Sequence, residues 1–207
     1  MEKRKIFFLA IISIVFLTIA SGTFFYINSM NNEQFEGNLE KAYSSYTNLS
    51  SKIEKNNHDQ QSADYFKMTN VKKGLKSLND IKKTNNETKN YLNDCLKSAN
   101  DDVEKEYINL LINQTDLIGN LIDVDIRSLK FKEDYLNGKI GVTAHNNEMN
   151  KMKNKINSTF KKVDENSKHI SNFLAENPDF EDRLNNLDIG MEFMGGSFIG
   201  SLILKSR

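Results

Sequence analysis

The chain has 207 residues, and its 28 Lys and Arg are balanced by 28 Asp and Glu. This balance excludes a strongly basic nucleic-acid-binding protein, because lysines alternate with acidic residues along every segment. Cys95 is the only cysteine, which excludes an intramolecular disulfide. Its apolar register favours a small core residue over a reactive thiol, and a bridge between two chains stays open.

The N-terminal segment is the most apolar part of the chain. Residues 6–27 carry no charge, and at about 1.5 Å per helical residue they span about 33 Å, enough for the hydrocarbon core of a bilayer. Basic residues occupy 3–5, and the next one is Lys41, so the positive-inside rule places the short N-terminus in the cytoplasm and the rest outside. The sequence predicts a single-pass protein of the cell membrane, anchored through 6–27.

A cleaved signal peptide is the main alternative for this segment. A basic start, an apolar run and the small residues Ala20, Ser21 and Gly22 give an acceptable cleavage pattern. The apolar run continues, however, through residues 24–27, which makes it longer than the apolar region of a typical signal peptide and places aromatic side chains at the membrane interface. An uncleaved signal anchor over 6–29 is therefore favoured.

The segment from residue 30 to residue 178 has the pattern of amphipathic helices. Apolar residues recur at spacings of three and four, and the only proline stands at the end of the segment. The predicted helices are 32–55, 65–99, 101–136 and 143–176. The first carries a regular seam on one face, formed by Phe35, Leu39, Ala42, Tyr46, Leu49 and Ile53.

Four such helices must bury their apolar faces against one another. The expected fold is all-α, an extracytoplasmic antiparallel bundle of about four long helices, roughly 50 Å in length. Such a bundle returns the chain, after its fourth helix, to the end at which its first helix began. The predicted organisation is a cytoplasmic N-terminus at 1–5, a signal anchor at 6–29, the bundle at 30–178, and a short helix with an apolar tail at 179–207.

The C-terminal tail does not resemble the bundle helices. After a short helix predicted at 179–187, residues 189–204 are apolar or small except for Glu192. Sixteen helical residues cover about 24 Å, less than the roughly 30 Å of a bilayer core, so a shallow membrane or partner contact is favoured over a second span. The spacing of Gly196 and Gly200 permits close helix packing, although a flexible tail stays open. The candidate contact residues are Gly196, Phe198, Ile199, Gly200 and Leu202.

No spacing predicts catalysis. His145 and Glu148 lie on one face of the fourth predicted helix, but metal sites in bundles need further inward carboxylates from other helices. The chain has no nucleophile triad, glycine-rich phosphate loop or Cys/His cluster. We therefore expect no enzyme activity, no metal and no cofactor.

One polar stripe runs along the third predicted helix. It consists of Asp116, Asn120, Asp123 and Arg127, at spacings of 4, 3 and 4. The first interpretation is a solvated helix edge with an Asp123–Arg127 ion pair. The second is a ligand or partner contact facing a cleft between helices. The sequence does not decide between them.

Three functions are consistent with this organisation. The first is a membrane-anchored binding or interaction module of a bacterial-type cell envelope, which engages another protein or a second copy of itself. The second is a sensory four-helix ectodomain that works with a separate output subunit. The third is a secreted helical protein whose C-terminal tail acts on membranes, which requires cleavage of the N-terminal segment.

Overall fold

The computed structural model describes residues 31–59, 64, 66–187 and 189, and these residues form helices joined by turns, without a strand. The predicted all-α helical bundle is confirmed. Helix α1 covers residues 31–59 of the described chain, followed by α2 (Met68–Ser98), α3 (Asp102–Leu136), α4 (Val142–Glu176) and the short α5 (Pro178–Asn186).

The predicted membrane span lies outside this part of the chain. Residues 6–27 are not among those described, and neither are residues 190–207 of the apolar tail. Within the described ranges, no helix is both long enough and apolar enough to cross a bilayer. The signal anchor and the tail contacts therefore stay predictions.

Two helix boundaries differ from the predictions, one because of tertiary packing and the other because of a turn. Helix α1 continues past residue 55 to residue 59, because Asn56 lies on the buried face and extends the packed seam by another turn. Helix α2 begins at Met68 because Asp64 holds a turn before it: its side-chain oxygen accepts from the Phe66 amide at 3.0 Å, and its carbonyl accepts from the Lys67 amide at 3.0 Å. Helices α3 and α4 begin and end within one residue of their predicted bounds.

The helices run alternately up and down. In each neighbouring pair the residue numbers of contacting side chains rise on one helix as they fall on the other, which defines an antiparallel pair. These contacts are Ser45–Thr88 and Lys52–Thr84 between α1 and α2, Lys89–Asp116 and Lys82–Asp123 between α2 and α3, and Asn113–Asn166 and Arg127–Glu148 between α3 and α4.

The core runs the length of the bundle. All six residues of the predicted α1 seam are buried, and so is Cys95, as predicted. Burial raises the pKa of the Cys95 thiol to about 12, so it carries almost no reactive thiolate near neutral pH. The largest fully buried side chains include Phe35, Leu39, Leu49, Ile81, Leu92, Tyr107, Ile118 and Ile170.

Helix α5 closes one end of the bundle. Phe180 of α5 packs edge-on against Tyr107 of α3, with ring centroids 5.2 Å apart, and Phe173 of α4 completes this aromatic cluster. Asn32 near the start of the described α1 accepts a 2.6 Å hydrogen bond from Asn100 in the α2–α3 turn. The described chain therefore starts and ends at the same end of the bundle, which we call the proximal end. The opposite end, with the α1–α2 and α3–α4 connections, is the distal end.

Candidate interaction surface

Charge is divided unevenly between the two ends of the bundle. Ser45, Thr88 and Asp116 lie near its middle, since they pair across neighbouring helices there. The proximal half contains 15 Asp and Glu against 7 Lys and Arg, and the distal half contains 10 against 16. The proximal half comprises residues 31–44, 89–116 and 162–187, and the distal half comprises 45–59, 64, 66–88 and 117–161. The described bundle, although nearly balanced in charge, is acidic at one end and basic at the other.

A groove with four lysines lies at the distal end, between α1 and α2. We call this the lysine groove. Its cavity has a volume of about 410 Å³. Lysines from both helices line it together with two aspartates, a serine and one apolar side chain: Lys52, Lys55, Asp59, Lys73, Lys76, Ser77, Asp80 and Ile81.

Half of the positive charge in the lysine groove has no acidic counterpart within it, because four lysines face two aspartates. Lys73 pairs with Asp59 at 3.2 Å, and Lys52 donates to the Thr84 hydroxyl at 2.7 Å. Among the described side chains, neither Lys55 nor Lys76 forms an ion pair, and both are exposed. The groove is therefore a concave surface suited to a negatively charged group.

Aromatic side chains lie beside the lysines at the distal end. Phe66, which is 72% exposed, precedes α2, and the Lys132 ammonium lies 3.8 Å from its ring centroid. Tyr135 contacts His145 across the α3–α4 turn, with ring centroids 4.8 Å apart. Gly138 has φ of 69° in that turn, a backbone conformation that glycine adopts without strain. The distal end thus combines exposed apolar surface with positive charge.

The proximal end is held by an ion network that joins three helices. Arg183 of α5 donates to Glu36 of α1 at 2.9 Å and to Glu104 of α3 at 2.5 Å. Glu104 is 1% exposed, and its second oxygen accepts from the Asn100 amide at 2.6 Å. Burial by itself lowers the pKa of Arg183, but its bonds to both carboxylates outweigh that effect and raise it above its ordinary value. The network fixes α5, the last described helix, on the bundle.

A second groove, of about 360 Å³, lies between α3 and α4 near the middle of the bundle. Asn166 on its floor donates to the Leu110 carbonyl at 3.0 Å and to Gln114 at 2.8 Å, and it accepts from Asn113 at 2.7 Å. Gln114 in turn donates to the Ser167 hydroxyl at 3.1 Å. These side chains form a buried amide network that joins the two helices. Lys162, Glu165 and His169 lie at the rim of the groove.

All four residues of the predicted polar stripe are exposed on α3. Asp116 and Asp123 pair with Lys89 and Lys82 of α2, and Arg127 pairs with Glu148 of α4. The prediction of an Asp123–Arg127 ion pair is therefore wrong. Asp123 pairs with a lysine of α2, and Arg127 pairs with a glutamate of α4. None of the four lines the lysine groove or the α3–α4 groove.

The other candidate residues have different outcomes. The tail positions Gly196, Phe198, Ile199, Gly200 and Leu202 lie outside the described residues. Glu148 forms ion pairs with Arg127 and Lys151. The His145 ring contacts the Tyr135 ring at a tilted angle. No group of three or more His, Cys, Asp or Glu in the described ranges is arranged to hold a metal ion.

Two short lysine clusters are the feature of the sequence from which the lysine groove could have been inferred. Lys72, Lys73 and Lys76 lie within five consecutive residues, and Lys52 and Lys55 are three positions apart. Each cluster alone is typical of a solvated helix face. Only the antiparallel pairing of α1 with α2 brings the two together.

Comparison of the chain with protein-family models, with curated proteins and with solved structures finds no significant match.

Proposed function

We propose that this chain is a membrane-anchored interaction module of a cell envelope. In this proposal the segment 6–27 anchors the protein in the cell membrane, and the bundle stands on the extracytoplasmic face with its distal end as the partner-binding surface. The observation that carries the proposal is that residues 31 and 189 lie at the same end of the bundle. Asn32 contacts the α2–α3 turn there, and α5 contacts α3. The described residues nearest to the two apolar segments of the sequence therefore lie at one end of the bundle.

This arrangement gives each end of the bundle a separate role. The 35 residues of α3 extend about 52 Å at 1.5 Å per residue, so a bundle standing upright presents its distal end well beyond the lipid headgroups. The exposed Phe66 and the lysine groove lie at that end. An exposed aromatic side chain near unpaired cations offers a partner both apolar and electrostatic contacts.

The α3–α4 groove supports a second candidate, a sensory ectodomain that binds a small solute between helices. Its rim carries Lys162, Glu165 and His169, which could bind a polar ligand. The first proposal is favoured because Asn166 on the floor of this groove already uses its amide group within the protein, donating two hydrogen bonds and accepting one.

Cysteine labelling in intact cells tests the proposed topology. Cys95 is buried and its thiol pKa is raised to about 12, so it competes little for a maleimide reagent. We expect a membrane-impermeant maleimide to label the exposed position in Asn147→Cys on intact cells, and to label Glu2→Cys only after the membrane is opened. Both variants should sediment with the membrane fraction.

Two outcomes would contradict the proposal. Labelling of Glu2→Cys on intact cells would reverse the orientation. Recovery of the chain from the medium without its first twenty or so residues would remove the anchor and favour the secreted alternative.

A further inference from the structure

We propose that the lysine groove binds a linear phosphate-rich polyanion, such as a phosphodiester polymer of a cell envelope. This inference rests on the proposed function, because it names the chemistry of the partner at the distal end. The groove is concave, lies between the distal parts of α1 and α2, and is lined by four lysines and two aspartates. Asp59 is already paired with Lys73 at 3.2 Å.

The exposed lysines of the groove that form no ion pair are accessible to an external anion. Lys52 is oriented by its hydrogen bond to Thr84 at 2.7 Å, and Lys55 and Lys76 have no described acidic partner. Lys67 and Lys72 continue the positive surface toward the distal turn without a described acidic partner of their own. A chain of negative groups can therefore contact several lysines in succession.

The unpaired cations of the groove are lysines, which bind phosphate groups as point charges. Arg127 is the only arginine in the described distal half, and it is engaged by Glu148. Arginine holds a carboxylate or a phosphate through two parallel hydrogen bonds, whereas lysine acts as a compact point charge. Point charges spread over a surface suit a flexible polyanion, whose binding releases counterions at each phosphate contact.

The division of charge along the bundle adds direction to this binding. The acidic proximal half repels an anionic polymer, and the basic distal half attracts it. Electrostatic steering would therefore bring a polyanion to the end that faces away from the membrane. The same division disfavours side-by-side pairing of two copies in one membrane, since like-charged halves would face each other.

The test is binding of inorganic polyphosphate to the full chain in a non-ionic detergent at physiological salt. We expect the double variant Lys55→Gln/Lys76→Gln to weaken binding about 10-fold and to lower the slope of log affinity against log salt by about 2. The matched control is Lys153→Gln/Lys155→Gln, which removes two exposed lysines of the distal half outside the groove. That control should weaken binding by about 3-fold or less.

Three results would overturn the inference. The first is no binding of polyphosphate by the unmodified chain, and the second is an equal loss in the two double variants. The third is equally tight binding of poly-glutamate of the same length, which would indicate an acidic protein partner. Circular dichroism of each variant shows whether the helices are intact. This assay does not depend on the anchor. If the labelling test failed but the chain still bound polyphosphate, only the proposed topology would be refuted.

Discussion

Replacement of Arg183 by methionine is expected to lower the free energy of unfolding by about 3 kcal/mol, near the lower end for breaking a buried ion pair. Glu104 is 1% exposed, whereas the Arg183 side chain is 29% exposed. The variant therefore leaves a carboxylate in the protein interior without its positive partner, while the accessible side of Arg183 moderates the loss. Methionine keeps a stem that can pack on Phe35, whose ring centroid lies 5.4 Å from the guanidinium carbon. Urea unfolding followed by circular dichroism measures the change.

Two further variants isolate the stranded charge as the cause. Lys97→Met removes one partner of an exposed pair with Asp94 and should change stability by less than about 0.5 kcal/mol. Arg183→Met combined with Glu104→Gln should recover part of the loss, because no charge is then buried. If the single Arg183 variant were as stable as the unmodified chain, the network would not hold α5 on the bundle.

Replacement of Asn166 by leucine is expected to cost about 2 kcal/mol. The variant removes the donor to Gln114, which is 2% exposed, and the acceptor for Asn113. Leaving a buried polar group without its partner costs about 1–3 kcal/mol. The same unfolding measurement applies, with Asn157→Leu on the exposed face of α4 as the control, which we expect to be nearly neutral.

A second substitution distinguishes a lost hydrogen bond from poor packing. Adding Gln114→Leu to Asn166→Leu removes both members of the pair, so the combined variant should lose less than the two single variants together. Simple additivity would indicate that the amide network contributes nothing as a unit. Full stability of Asn166→Leu alone would indicate that the network does not hold α3 against α4.

The helices could be predicted because their apolar spacing is a local property. The seam from Phe35 to Ile53 specified α1, and the turn at Gly138 separated α3 from α4. The two errors, at Asn56 and before Met68, concern polar residues whose role depends on neighbours. Asn56 is a poor helix former by propensity, yet tertiary packing keeps it in the helix.

The polar contacts could not be predicted because they depend on how the helices align. Arg183 and Glu36 are separated by 147 positions, so no local pattern connects them. Asp123 and Arg127 are neighbours on one helix, and the sequence therefore suggested a pair between them. Their actual partners, Lys82 and Glu148, lie on two other helices.

The lysine groove shows the same dependence on helix alignment. Two short lysine clusters on α1 and α2 are unremarkable separately, but the antiparallel packing places them on opposite sides of one cavity. The balanced charge of the whole chain conceals the difference between the two ends. The difference in charge between the two ends is therefore visible only once the topology is known.

We propose that the bundle stands on the membrane by its proximal end, and fluorescence quenching in lipid nanodiscs tests this claim. The full chain carries a dye at one of two positions. One is Asn186→Cys, on the exposed face of α5, and the other is Asn147→Cys, on the distal part of α4. A quencher on the lipid headgroups acts only on dyes at the bilayer surface. We expect strong quenching at position 186 and almost none at position 147. Equal quenching at both positions, or quenching at 147 alone, would contradict the claim.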